Sequence, residues 1–149
     1  MSKILYGLDP QEYEHPLDRE ALNALQKISG IQALYQKFEG STIEKATLLN
    51  YKGTKLKINK NNFSKIFDLF EQALKILDFA EYPDLYTSLD YQVSASAFGV
   101  EKPSVWISSG AVDFLDEEEL MFVLGHELGH IKSGHSFYYM LARKFLPLI

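Results

Sequence analysis

The sequence predicts an α+β fold in a single domain over residues 1–149, on three observations. Apolar residues recur every three or four positions over 17–38 and 63–77, strand-like text fills 85–107, and a nearly unbroken apolar stretch with an acidic start covers 116–131. The expected architecture is an N-terminal part of helices and a hairpin (1–80), then a core (81–149) with a small, mostly antiparallel sheet over a buried helix. The chain has 149 residues, 46% hydrophobic and 23% charged, which suits one packed core. Net charge is −5 with no Lys/Arg block, which argues against a nucleic-acid surface. The absence of cysteine excludes disulfides, thiolate zinc ligands and a cysteine nucleophile, and suits a reducing compartment.

Taken in order, Pro16 and Asp18 open a helical pattern of Leu17, Ala21, Leu22, Leu25 and Ile28, which continues past a break at Gly30 through Ile31, Leu34, Tyr35 and Phe38. Residues 42–58, rich in Thr, Leu, Ile and Tyr around Asn50-Tyr51-Lys52-Gly53, read as two strands about a turn, with Lys55, Lys57 and Lys60 on a solvated face. Asn61 or Asn62 caps a second helix whose Phe63, Ile66, Phe67, Phe70, Ala73, Leu74 and Leu77 share one side as core. Residues 85–98 read as strand, 99–103 as a turn, Val105-Trp106-Ile107 as a short buried strand, and Ser108-Ser109-Gly110 as a loop.

The chemistry sits in the last predicted helix. Asp116 and Glu119 have the spacing of a capping box, and the acidic run 116–119 favours the positive end of the helix dipole. Inside the apolar text that follows lie His126, Glu127 and His130. Burying three such groups costs several kcal/mol unless something satisfies them. His126 and His130 are one turn apart, so both imidazoles project from one face and can reach a single zinc ion. Glu127, rotated by about 100°, reaches toward a metal-associated water. With four His and twelve Glu in the chain, this His-Glu-x-x-His pattern arises by chance in roughly one shuffled sequence per hundred. Gly125 and Gly129 read as close packing against a neighbouring strand or helix.

A catalytic zinc normally takes three protein ligands. Three sources of the third stay open: His135, which a continuous helix would carry to nearly the opposite face; an upstream carboxylate; or a carboxylate outside this chain, since no Asp or Glu follows Glu127. The metzincin spacing fails, because Ser133 and Ser136 occupy its glycine and ligand places.

The text from Ser108-Ser109-Gly110 through Glu118-Glu119-Leu120 and Val123-Leu124-Gly125-His126-Glu127-Leu128-Gly129-His130-Ile131 to Gly134-His135 resembles the gluzincin metalloproteases that include the type I CAAX prenyl protease, the mitochondrial stress protease OMA and bacterial HtpX. The likeness covers roughly 85–136; the first 80 residues carry none of it. It implies a zincin-like fold and a zinc-dependent endopeptidase acting on polypeptides, with His126 and His130 as metal ligands, Glu127 as catalytic base, one zinc per chain, and a third ligand Glu on a later helix beyond residue 149. The family usually carries an Asn-Ala-Phe-like stretch on the strand before the cleft; here Ser94-Ala95-Ser96-Ala97-Phe98 stands there, with Ser96 where Asn is common.

A substrate strand is then expected to pair along Val93, Ser94, Ala95, Ser96, Ala97 and Phe98. The alternative function is a non-catalytic or truncated module without a complete metal site. No glycine-rich phosphate loop or nucleophile motif supports a transferase. Met1–Leu8 is too short for a secretory signal, and the end of the chain from Phe137 is apolar with no helix stop. The expectation is therefore a fragment of a longer protein, cytoplasmic or on the cytoplasmic face of a membrane, which the full-length protein meets through segments after about residue 137.

Overall fold

The structure, a computed structural model, describes residues 3–138. The N-terminal pattern forms two helices, α1 (Pro16–Gln26) and α2 (Ile31–Phe38), parted where expected by Gly30, whose φ of +89° an L side chain rarely adopts. The cap of α1 is His15, whose Nδ1 accepts from Leu17 N at 3.2 Å, with Pro16 in the first helical position. Leu22, Leu25, Ile31, Tyr35 and Phe38 pack on a small second core built on Phe137 and Tyr138.

Residues 42–53 overturn the hairpin reading: they form helix α3 (Thr42–Gly53). Ser41 Oγ accepts from Glu44 N at 3.1 Å, capping the first turn. Glu44, 1% exposed, takes the amides of Gly40 (2.7 Å), Val100 (2.7 Å) and Glu101 (3.0 Å) on its carboxylate. Glu44 and Leu48 are the buried pair one turn apart, while Ile43 and Leu49 face out. This buried acid is what the pattern of apolar residues could not show, and tertiary contact overrides the β propensity of Thr42, Ile43 and Thr47. Of the predicted second strand only β1 (Leu56–Lys57) remains. The three lysines are partnered: Lys57 meets Asp84 at 2.7 Å, Lys60 meets Glu71 at 3.4 Å, and Lys55 lies over the Tyr51 ring.

Helix α4 (Ser64–Ile76) buries Ile66, Phe70, Ala73 and Leu74 as its spacing predicts. Asn62 does not cap it. Its Oδ1 takes the amides of Asn59 (2.8 Å) and Phe63 (2.9 Å), closing the turn that enters the helix.

The stretch 85–98 divides into β2 (Asp84–Ser88) and β3 (Ala95–Phe98), and β4 (Ser104–Ser108) inserts between them in a sheet of order β1-β2-β4-β3. The sheet is mixed: β1/β2 and β3/β4 are antiparallel, but the five-residue β2/β4 pairing is parallel. The chain is α+β as expected, and only the pairing of its centre departs from the antiparallel expectation. Ser108 starts a helix rather than a loop: its Oγ accepts from Ala111 N at 3.0 Å and caps α5 (Ser109–Phe114). Helix α6 (Glu117–Lys132) follows, with the predicted capping box in place: Asp116 Oδ1 accepts from Glu119 N at 2.9 Å and Glu119 Oε2 from Asp116 N at 3.0 Å.

The main core joins α4, α6 and the sheet through Phe70, Leu74, Leu85, Val105, Ile107, Leu124 and Leu128. Helix α6 is not buried all round: Leu120, Leu124 and Leu128 are buried, as is Gly129, while Phe122 is 73% exposed. No helix among the described residues is long and apolar enough to cross a membrane. Apart from Phe137 and Tyr138, the apolar C-terminal stretch lies outside the described residues.

Candidate metal centre

Leu124 and Leu128 anchor α6 in the core, and that fixes which face His126 and His130 present. His126 is exposed and His130 half-buried, with Nε2 atoms 2.9 Å apart. Two ligands of a tetrahedral zinc at 2.0–2.1 Å stand about 3.3 Å from each other, a few tenths of an ångström more than this pair. The two imidazoles thus fit half of a zinc shell. Glu127 is half-buried, next to both along the helix. Among the described residues no group of three or more His, Asp or Glu is placed to hold a metal.

His135 is brought to His130, but not as a third ligand to that position. Helix α6 ends at Lys132, Gly134 (φ +71°) reverses the chain, and His135 N donates to His130 O at 3.0 Å. The His135 ring then meets the Nδ1 side of His130, at 3.4 Å, away from the His126 side.

Burial, then the nearby His126 and His135, push His130 down to about 4, against the opposing pull of Asp18 and Glu14. The ring is therefore a neutral electron-pair donor through the physiological range. The sign for stability follows: as pH falls below 6.5 the unfolded chain takes up this proton before the folded one does. The metal-free protein is expected to lose stability between pH 6.5 and about 4, a slope in denaturation free energy that His130→Gln should flatten.

The two glycines differ. Among the described residues a Cβ on Gly125 would meet nothing within 4 Å, so no close packing there accounts for it. Gly129 does pack closely, but against the N-terminal segment: a Cβ there would stand 3.4 Å from the Tyr13 ring, and Tyr13 Oη donates to Gly129 O at 3.0 Å. Sequence reasoning gave no role to Tyr13 or to its neighbour Glu14. Both reach across more than a hundred residues, Tyr13 to α6 and Glu14 to His135 just past its end, and no local pattern signals such a contact.

Of the expected substrate strand, Ala95–Phe98 form β3, the outer strand of the sheet, packed against α6. Ser94 precedes it, its main chain already engaged: Ser94 O accepts from Ser108 N at 2.9 Å and Ser94 N donates to Ser108 Oγ at 3.0 Å. Val93 lies in the loop before it, half exposed. Since Ser94 faces β4 and the register continues Ser96↔Trp106 and Phe98↔Ser104, the N–H and C=O groups of Ala95 and Ala97 point to the open edge. Ser96 and Phe98 turn their side chains to α3, Ser96 Oγ lying 3.2 Å from Tyr51 Oη and Phe98 stacking on the Tyr51 ring at 4.2 Å. A paired imidazole donor set thus lies on a helix that packs against the edge strand of the sheet.

The model of peptidase family M48 matches residues 60–149, and the chain belongs to this family. It is 31% identical over 134 residues to the plastoglobule-localized metallopeptidase 48, chloroplastic, of Arabidopsis thaliana, covering 89% of this chain and 39% of that protein. The chain thus spans about two fifths of that relative's length. No solved structure matches it.

Proposed function

We propose that the protein is a zinc metalloendopeptidase, with His126 and His130 as metal ligands and Glu127 as general base. The observation that carries this reading is the approach of two imidazole nitrogens to 2.9 Å on one helix face, beside a glutamate, in an M48 family chain. The third ligand in this reading is a Glu on a later helix. His126 and His130 would hold the zinc, which would supply Lewis acidity and a more acidic water. Glu127 takes the proton of the attacking water and delivers it to the leaving amine. The substrate backbone pairs in extended form with Ala95 and Ala97, the edge positions of β3, and the small alanine side chains let it lie close to α6.

Metal removal tests the reading. A chelator should abolish cleavage of an unfolded protein by the full-length enzyme, and added zinc should restore it. His126→Ala and His130→Ala should each weaken zinc binding beyond the ~100-fold that outer-shell changes reach. A folded, full-length protein that binds no zinc and cleaves nothing would instead be a non-catalytic module.

A further inference from the structure

His130 is held from behind. Its Nε2 faces His126 Nε2 at 2.9 Å, while its Nδ1 lies 3.4 Å from His135 Nδ1. On the far side of His135, Nε2 lies 2.8 Å from Glu14 Oε1, the approach being close but off the N–H axis. Both side chains are sealed in, 6% and 7% exposed. The second Glu14 oxygen is taken by Arg19 Nε at 3.2 Å, and Tyr13 ties the same segment to α6 through Gly129 O at 3.0 Å and Ser133 Oγ at 2.8 Å. Burying Glu14 and His135 together is costly, so their meeting at the back of a candidate metal ligand calls for an account.

With His135 neutral, the donors and acceptors run in one direction. An ionised carboxylate accepts and never donates, so it selects the form of His135 with hydrogen on Nε2. A neutral His135 of that form has a bare Nδ1, which can only accept. His130 must then carry its hydrogen on Nδ1, and its Nε2 is left as a lone pair aimed at His126. We propose that Glu14 and His135 are positioning residues that act in series, fixing the Nδ1–H form of His130 and keeping its Nε2 electron pair directed at the metal position. This rests on the zinc reading above. A ligand imidazole commonly gives its other N–H to a partner that sets its orientation and raises its basicity. Here that partner is a second histidine with a carboxylate behind it, and the carboxylate comes from the N-terminal segment.

The test reads the hydrogen as well as the metal. In nitrogen-15 long-range spectra of the metal-free full-length protein, His130 should appear with hydrogen on Nδ1. In His135→Leu and Glu14→Ala it should shift toward the Nε2–H form, and the competition constant for zinc should weaken roughly 10–100-fold. His135→Asn, which keeps an acceptor near the Nδ1 position, should hold affinity within about threefold of wild type. If His135→Leu fails to fold by circular dichroism, Glu14→Ala gives the same readout. An Nε2–H form of His130 in wild type, or folded variants that bind zinc as tightly as wild type, overturns the proposal. Failure of the zinc reading looks different: wild type binds no zinc, or His126→Ala binds it unchanged, while the spectra of the metal-free protein still judge the chain from Glu14 to His130.

Discussion

Glu127→Gln is expected to leave zinc content and helicity as in wild type and to lower kcat for an unfolded polypeptide by roughly 10²–10⁴-fold. The substitution keeps the size of the side chain and one carbonyl oxygen, so water can still be held nearby. What it removes is the basic oxygen pair that accepts the proton. A 10³-fold loss corresponds to about 4 kcal/mol of barrier, far more than a surface hydrogen bond supplies. Two measurements on one sample decide the case: metal content by atomic absorption, and turnover under saturating substrate. Full metal with kcat within about tenfold of wild type would remove Glu127 from the proton transfer. Loss of both together would point to a structural role for Glu127.

Gly110→Ala is expected to lower stability by about 3 kcal/mol, or roughly 10 °C in melting temperature for a domain of this size. A Cβ there would stand 2.4 Å from Tyr91 O and 2.7 Å from Gln92 O, and both obstacles are main chain rather than a side chain that can swing aside. The loop must retreat, yet it is tied at several points. Gly110 N donates to Asp90 O at 2.7 Å, Ser108 Oγ donates to Gln92 O at 2.7 Å, and Ser109 Oγ donates to Asp90 O at 3.0 Å. These bonds also set where the chain enters β3, so KM for a peptide should rise along with the loss of stability. An unchanged melting curve would show that the loop yields freely, and would remove Ser108–Gly110 as the support of the edge strand.

Much of the candidate site's local geometry was legible because its determinants are local. The capping box of α6 spans three residues, and the His126–His130 spacing is one helical turn. Both follow from helix geometry once a helix is granted. The apolar face of α4 was legible for the same reason. Helix α3 was not, because its deciding residue is an acid: Glu44 is buried only where the amides of Val100 and Glu101 arrive to donate to it. The split of 85–98 also escaped reading, since strand text does not say that β4 will insert between its halves.

The amino-acid order by itself determined a capped helix with two imidazoles on one face, a glutamate beside them, and membership in an α+β class. Tertiary structure alone decided that β3 lies at the edge, that Tyr13 covers Gly129 of α6 while Phe122 stays exposed, and that Gly134 turns His135 back onto His130 with Glu14 behind it. The physical reason is range. Helix periodicity and capping act within a few residues and are written in the sequence, whereas strand order and buried polar partnerships depend on which distant segments arrive at the same place when the core closes.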